Sequence, residues 1–355
     1  MIFDVAIIGA GIAGASLAAE IAGQAKGLLL EAEDQPGYHS TGRSAAFWDE
    51  TYGGPNIQPL TTASGAFLSS PPPEFADKGF LTQRGALFVG TADDASAFDT
   101  LRKDFADSGV TLDSMTRDKA AARVPGMRLD WSRFLYQKDC ADIDVGRLHN
   151  GYLSAARRSG VDLATRARVD ALDFDAGVWT IRCGEQCHRA AIIVNAGGAW
   201  ADHIAGLAGV PRLGIQPYRR TVAQLRVDPA APADLPLVIH INGDFYLKPE
   251  PGGRIWLSPH DETPVPPSDV APEELDVAIA IDRLERLVDW RIAAVERKWA
   301  GLRSFAPDRL PVFGFDPNHP AFFWCAGQGG FGIQTAPASA RLSASLLLGV
   351  APHPS

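Results

Sequence analysis

Cysteine is scarce: the 355 residues hold four, Cys140, Cys183, Cys187 and Cys325. No two form a C-x-x-C pair, which excludes a zinc ribbon or a thioredoxin-like redox site, and four thiols make a poor disulfide scaffold for so long a chain. Such usage suits a reducing compartment. Basic charge is short as well. Lys and Arg total 33 against 42 Asp and Glu, a net charge of −9 with no basic run, so neither a nucleic acid nor an anionic membrane is an expected partner. No apolar run approaches the roughly 20 residues that span a bilayer. The opening Met1-Ile2-Phe3-Asp4-Val5 lacks the basic n-region of a signal peptide, and a cytoplasmic location is expected. His39, His149, His188, His203, His240, His260, His319 and His353 show no H-x-x-x-H spacing and no clustering with cysteine, so no metal site is expected. No Gly-x-Ser-x-Gly elbow is present, and neither are internal repeats or low-complexity tracts.

What remains is globular: 46% hydrophobic and 21% charged residues exclude intrinsic disorder. Three places read as a buried strand entering a glycine-containing turn. Phe3–Ile8 is an apolar, β-branched run followed by Gly9-Ala10-Gly11-Ile12-Ala13-Gly14 and a small-residue helix over Ala15–Ala22. The next apolar run, Gly27–Leu30, ends on Glu31. Ala190–Ala196 is the second, and Phe322–Ala326 the third, leading through Gly327–Gly332 to a helix over Ala336–Leu348 that Gly349 stops. Between these lie a loop at Pro71-Pro72-Pro73, a strand over Leu81–Val89 and a helix over Asp93–Asp107. A helix capped by Asp144 runs to Ser159 with Gly160 as its stop, Tyr218–Pro259 alternates like hairpins around Gly252-Gly253, and Glu273–Val288 is helical. The expected fold is α/β, a Rossmann-like dinucleotide domain with an interleaved antiparallel α+β domain. The cofactor domain is assigned to 1–80, 141–210 and 299–355, and the substrate domain to 81–140 and 211–298.

The first turn carries specific chemistry. Gly9 makes the turn, Gly11 lets backbone approach a diphosphate, Gly14 allows close helix–strand packing, and Glu31 can accept from a ribose diol. The helix N-terminus adds N–H donors and a positive partial charge.

Beyond Glu31, the segment Gly37-Tyr38-His39-Ser40-Thr41-Gly42-Arg43-Ser44-Ala45-Ala46 resembles the D-amino-acid oxidase/glycine oxidase superfamily of FAD enzymes, most closely its bacterial D-arginine dehydrogenases. Val194-Asn195-Ala196-Gly197-Gly198-Ala199-Trp200, Trp299-Ala300-Gly301-Leu302-Arg303-Ser304-Phe305 and Gly327-Gln328-Gly329-Gly330-Phe331-Gly332-Ile333-Gln334-Thr335 extend the resemblance along the chain. It implies a glutathione-reductase-like FAD domain. It also implies cofactor contacts from Ala13, from Ser40, Thr41, Gly42, Arg43, Ser44, Ala45 and Ala46, from Val169, from Ala196, Gly197 and Trp200, and from Gly329, Gly330, Phe331, Gly332, Ile333 and Gln334. The superfamily's covalently flavinylated members carry a cysteine soon after the arginine motif; Ser304–Gly314 has none, so non-covalent FAD is expected.

By the same resemblance Arg220 and Arg303 face the substrate carboxylate, for which a guanidinium fork offers two parallel donors, and Tyr246 and Tyr52 line the site. Two departures matter. Phe47, followed by Trp48, stands where D-arginine dehydrogenase has a histidine, and Arg84-Gly85-Ala86 stands where it has the acid that grips the substrate guanidinium. An apolar side-chain pocket is therefore expected, and a D-amino acid with a non-cationic side chain, or a cyclic imino acid, as substrate. The implied reaction is hydride transfer from Cα to flavin N5, giving an imino acid that hydrolyses to a 2-oxo acid and ammonia. The electron acceptor, oxygen or a quinone, stays open. The competing readings are a flavin-binding protein without amino-acid turnover, acting in redox sensing or assembly, and an NAD-dependent dehydrogenase.

Overall fold

The computed structural model describes residues 1–350. The last five positions of the expected segment 299–355, His353 among them, lie outside the described residues. Phe3–Ile8 occupies the middle of an eight-stranded sheet, parallel to Gly27–Leu30 on one side and to Gln186–Asn195 on the other. Asp162–Ala164 and Phe322–Ala326 extend the parallel core, and antiparallel strands complete its flanks. The helix after the first glycine turn runs Ile12–Ile21, three residues earlier than its composition alone suggests. Its Ala, Gly and Ser side chains let it pack between the sheet and the helices Val145–Arg158 and Ala336–Leu348. Gly14 is indispensable there, because a Cβ would fall inside contact distance of the Gly9 carbonyl oxygen. This is the Rossmann-like α/β architecture expected of a dinucleotide-binding chain.

A second, ten-stranded sheet is antiparallel except where Leu237–His240 runs parallel to Ala86–Gly90. Its spine is the long pair Gln216–Asp228 and Arg291–Phe305. One face buries Leu225, Leu247, Ile255 and Leu257 under the helix Glu274–Leu287. Alternate residues of a strand point to opposite faces, so Arg220 and its register partner Gly301, with Tyr218 and its partner Arg303, share the other face. The glycine turn near the C-terminus is stitched to the same spine: Gln328 and Gly329 pair with Phe305 and Ser304. No helix of the described residues is long and apolar enough to cross a membrane.

The expected strand Leu81–Val89 is two strands in two sheets. Leu81–Gln83 pairs with Ala141–Ile143, which also pairs with Phe47–Trp48, whereas Ala86–Gly90 joins the ten-stranded sheet. Gly85, at φ +78°, makes the break, and the Arg84 and Gly85 amides both donate to the Cys140 carbonyl. The helix expected over Asp93–Asp107 shortens to Ala95–Asp104 behind a capped turn at Thr91. Asp144 caps the helix Val145–Arg158 by accepting from the Arg147 amide at 3.0 Å.

Candidate active site

In open parallel sheets, ligands lie at the carboxyl ends of the strands, and there the turns after Ile8, Asn195 and Ala326 open on one long cleft. Gly9, at φ +104°, forms its floor, and a Cβ there would stand 2.5 Å from the Ala196 carbonyl oxygen. Gly11, Ala13, Ser40, Thr41, Ser44, Val169, Ala196, Gly197 and Trp200 line one part of the cleft, and Gly329, Gly330, Gly332 and Ile333 another. Glu31 also lines it, but its carboxylate is committed to backbone: Oε2 accepts from the Ala10 amide at 2.9 Å and Oε1 from the Glu33 amide at 3.0 Å. It braces the glycine turn as well as facing the cleft. Thr41 Oγ1 accepts from the Ile12 amide at 3.0 Å, occupying one helix donor.

Several expected contact residues lie outside the cleft lining. Gly14 and Gly42 serve close backbone packing, and Ala45 and Ala46 sit in apolar clusters. The Arg43 guanidinium turns away to Asp269, 2.5 Å off, and to the Val270 and Ala300 carbonyls. Phe331 is buried against Ile57 and Phe305. Gln334 clamps a neighbouring loop, donating to the Tyr52 carbonyl and Thr61 Oγ1 and accepting from the Asp49 amide. Conversely, Glu33, His39, His203 and Cys325 line the cleft without any sequence signal having marked them. Burial pushes the Cys325 thiol up to about 12, so it is no thiolate nucleophile.

Arg303 lines the cleft and stands close to Arg220, Tyr52 and Tyr246. It is 5% exposed, and its one hydrogen bond among the described residues goes from Nη1 to the Leu302 carbonyl at 3.3 Å. Burial, and then the charge of Arg220, holds its pKa below the ordinary guanidinium value. A buried cation without a counterion costs several kcal/mol unless a ligand supplies the anion. Arg220, 2% exposed, is different. Its Nε donates to the Asp261 carbonyl at 2.9 Å and its Nη2 to Glu262 at 3.0 Å. Glu262 also takes two bonds from Arg309. Arg219, on the opposite face, pairs with Glu273 and Asp276.

Aromatic rings enclose the two arginines. Phe47 lies 5.4 Å from Tyr52 and 5.8 Å from Tyr246, ring centre to ring centre. Tyr246 stands opposite Ser258 in the strand register, and burial raises its pKa. Tyr52 rests on Gly330, where a Cβ would collide with its hydroxyl. His260, which the sequence gave no reason to select, completes the ring, 5.7 Å from Tyr246 and 6.3 Å from Tyr52. It adopts φ +55°, a conformation that costs a non-glycine residue on the order of 1–3 kcal/mol. The signal available was the polar run His260-Asp261-Glu262 after a strand, two members of which hold Arg220.

The residues expected to form an apolar pocket do not all face the same way. Phe47 and Ala86 do pack with Tyr246 and Phe88. Trp48 does not: successive strand residues face opposite ways, and its indole turns to the helix Gln58–Ser69, donating to the Thr61 carbonyl. Gly85 lies against the Tyr136 hydroxyl. An acid is supplied from another strand: Asp142 pairs with Arg84 at 2.5 Å and with Lys248, which also meets Glu250. Those four charges satisfy one another.

Residues 4–346 match the family described as FAD dependent oxidoreductase, DAO. Glycine oxidase from Pseudomonas aeruginosa is 28% identical over 243 residues, covering 66% of this chain and 64% of that protein. Matches to curated relatives span as little as 30% of their own length. Among solved structures, glycine oxidase from Geobacillus kaustophilus superimposes with a TM-score of 0.85 at 21% identity, covering 98% of this chain and 95% of that one. L-proline dehydrogenase from P. horikoshii gives 0.86, again at 21% identity, with 99% and 95% covered. At that identity the structural likeness shows the fold alone. Nothing in these matches singles out D-arginine dehydrogenase.

Proposed function

The chain belongs to the family of FAD dependent oxidoreductases, and we propose that its reaction is oxidation of the Cα–N bond of an amino or imino acid whose side chain carries no positive charge. Its cofactor is FAD, and the polar groups fit: amide donors of a glycine turn at a helix N-terminus, the Glu31 carboxylate as an acceptor, and a second glycine turn at the far end of the cleft. Bound FAD supplies the acceptor for the hydride that leaves Cα. The observation that carries the reading is Arg303, a buried guanidinium that no acid pairs with among the described residues, lining the cleft beside Arg220, Tyr52 and Tyr246.

Arg303 offers its fork to the substrate carboxylate, and Arg220, with Nη1 uncommitted, adds a second donor from the same sheet face. Tyr52, Tyr246 and Phe47 exclude water around the Cα–N bond, so orientation does most of the catalytic work. A cationic side chain would meet two guanidinium charges and a set of acids already paired among Arg84, Asp142, Lys248 and Glu250. D-amino acids, glycine and cyclic imino acids are the favoured class, on the family resemblance. The stretch Ser304–Gly314 after the arginine motif holds no cysteine, which supports non-covalent FAD.

Two measurements test this. Anaerobic bleaching of the yellow protein by glycine, N-methylglycine, D-alanine, D-methionine, D-phenylalanine, D- and L-proline and D-arginine should be fastest with an uncharged member and slowest with D-arginine. Failure of every amine to bleach leaves a flavin-binding protein without turnover. Acid precipitation should release all colour to the supernatant.

A further inference from the structure

His260 has a fixed tautomer. Its Nδ1 lies 2.6 Å from the Gly243 carbonyl oxygen, which can only accept, so Nδ1 carries the hydrogen and Nε2 keeps its lone pair. The backbone is arranged to seat the ring this way. The His260 amide donates to Ser258 Oγ, and Ser258 is the strand partner of Tyr246. Gly243, at φ +76°, leaves room that a Cβ would narrow to 3.3 Å from Nδ1. Nε2 has no hydrogen-bond partner among the described residues, although the ring stands with Tyr52 and Tyr246 in the wall beside both arginines.

We propose that His260 Nε2 is the acceptor that receives the substrate's amine N–H, fixing the nitrogen while Arg303 and Arg220 fix the carboxylate. This rests on the amino-acid oxidation reading above and adds to it the group that recognises nitrogen. Beside His260 stand two cations, Arg220 and Arg303, and two phenols, Tyr52 and Tyr246, while the acids next in the chain, Asp261 and Glu262, are engaged with Thr221, Arg219, Arg220 and Arg309. Burial and the charges of Arg220, Arg303 and Arg309 hold the imidazole neutral, down to about 3. The same charges disfavour an ammonium beside it, so the substrate gives its extra proton to water and is held as the neutral amine. His260 orients that amine and takes no proton from it.

The test compares the holoprotein with His260→Ala and His260→Asn, since Asn keeps a side-chain acceptor and tolerates positive φ. Two readouts separate a role at nitrogen from a structural one: anaerobic flavin reduction by phenylalanine or glycine, and binding of the des-amino probes 3-phenylpropanoate and acetate, followed by flavin absorbance. His260→Ala should slow reduction on the order of tenfold, His260→Asn should recover most of it, and probe affinity should stay within about twofold throughout. Parallel loss of reduction and probe binding, or unchanged reduction in His260→Ala, overturns the assignment. If the unaltered protein is reduced by no amine, the parent reading falls first, and the two failures are told apart by that control.

Discussion

In the cofactor cleft the working surface is largely backbone, contributed by Gly9, Gly11, Gly197 and Gly329 at the ends of parallel strands. In the proposed substrate chamber it is the tips of side chains, Arg220, Tyr246 and Arg303 on one face of an antiparallel sheet and Tyr52 and His260 on loops beside it, brought together from segments far apart in sequence. A backbone site tolerates almost no added atom but depends little on any one side chain. A side-chain site tolerates small shifts but loses its chemistry with one substitution.

The same exchange, glycine to alanine, should therefore act differently in the two places. Gly14→Ala forces a Cβ into the Gly9 carbonyl, backbone against backbone. FAD content, read from absorbance per protein, should drop by roughly tenfold or more, as overpacking costs of about 1–3 kcal/mol allow. Gly330→Ala, at the end of the cleft that adjoins Tyr52, meets only the hydroxyl end of that side chain. That variant should stay yellow and lose rate instead. Equal FAD loss in both would abolish the distinction.

This difference also explains what could be read in advance. The glycine turn, its flanking strands and Glu31 are contiguous, and their spacing states their purpose. Arg303 could be nominated only through a family resemblance, because its lack of an anion emerges when Tyr218 pairs with it across the sheet and Glu262 is drawn to Arg220 instead. Trp48 was misread because a two-residue strand offers no alternation to show which neighbour faces in. His260 was passed over because its partner, the Gly243 carbonyl, is a backbone atom in a hairpin turn, and sequence does not display backbone acceptors.

A second contrast lies between the arginines themselves. Arg303→Met removes the unpaired fork and should cut kcat/KM for flavin reduction on the order of 10²–10³, for a loss of about 2–5 kcal/mol. Arg220→Met removes a cation already balanced by Glu262, and should cost about tenfold. FAD should remain bound in both. A larger loss at Arg220 would reverse the assignment of the principal clamp.

Acid stability probes the chamber alone. His260 is held at about 3 in the folded protein against an ordinary 6.5. Below pH 6.5 the unfolded chain binds a proton that the folded one refuses, so the stability His260 permits is complete above 6.5 and lost as pH falls toward 3. At pH 5 the loss is about 2 kcal/mol. Denaturant titrations of the holoprotein at pH 7 and pH 5 should show it, and His260→Asn should reduce the difference by that amount. An equal acid response in the variant would mean the imidazole is not held neutral.

The smallest effect lies where the two regions touch. Asp269, on the loop leading from the substrate sheet to the helix Glu274–Leu287, meets Arg43 at 2.5 Å and accepts from the Tyr38 hydroxyl at 3.1 Å. Both belong to the segment whose Ser40 and Thr41 line the cofactor cleft. The Arg43 hydrogen bond lowers the Asp269 pKa, yet the carboxylate is 57% exposed, and such a pair contributes only about 0.2–1 kcal/mol, less in salt. Arg43 keeps its bonds to the Val270 and Ala300 carbonyls when the carboxylate goes. Asp269→Asn should then speed FAD release by no more than about fivefold at low ionic strength, with the difference fading at roughly 1 M salt. Release accelerated a hundredfold would show that the loop, not the glycine backbone, retains the cofactor, and the contrast between a self-sufficient cleft and a borrowed chamber would have to be given up.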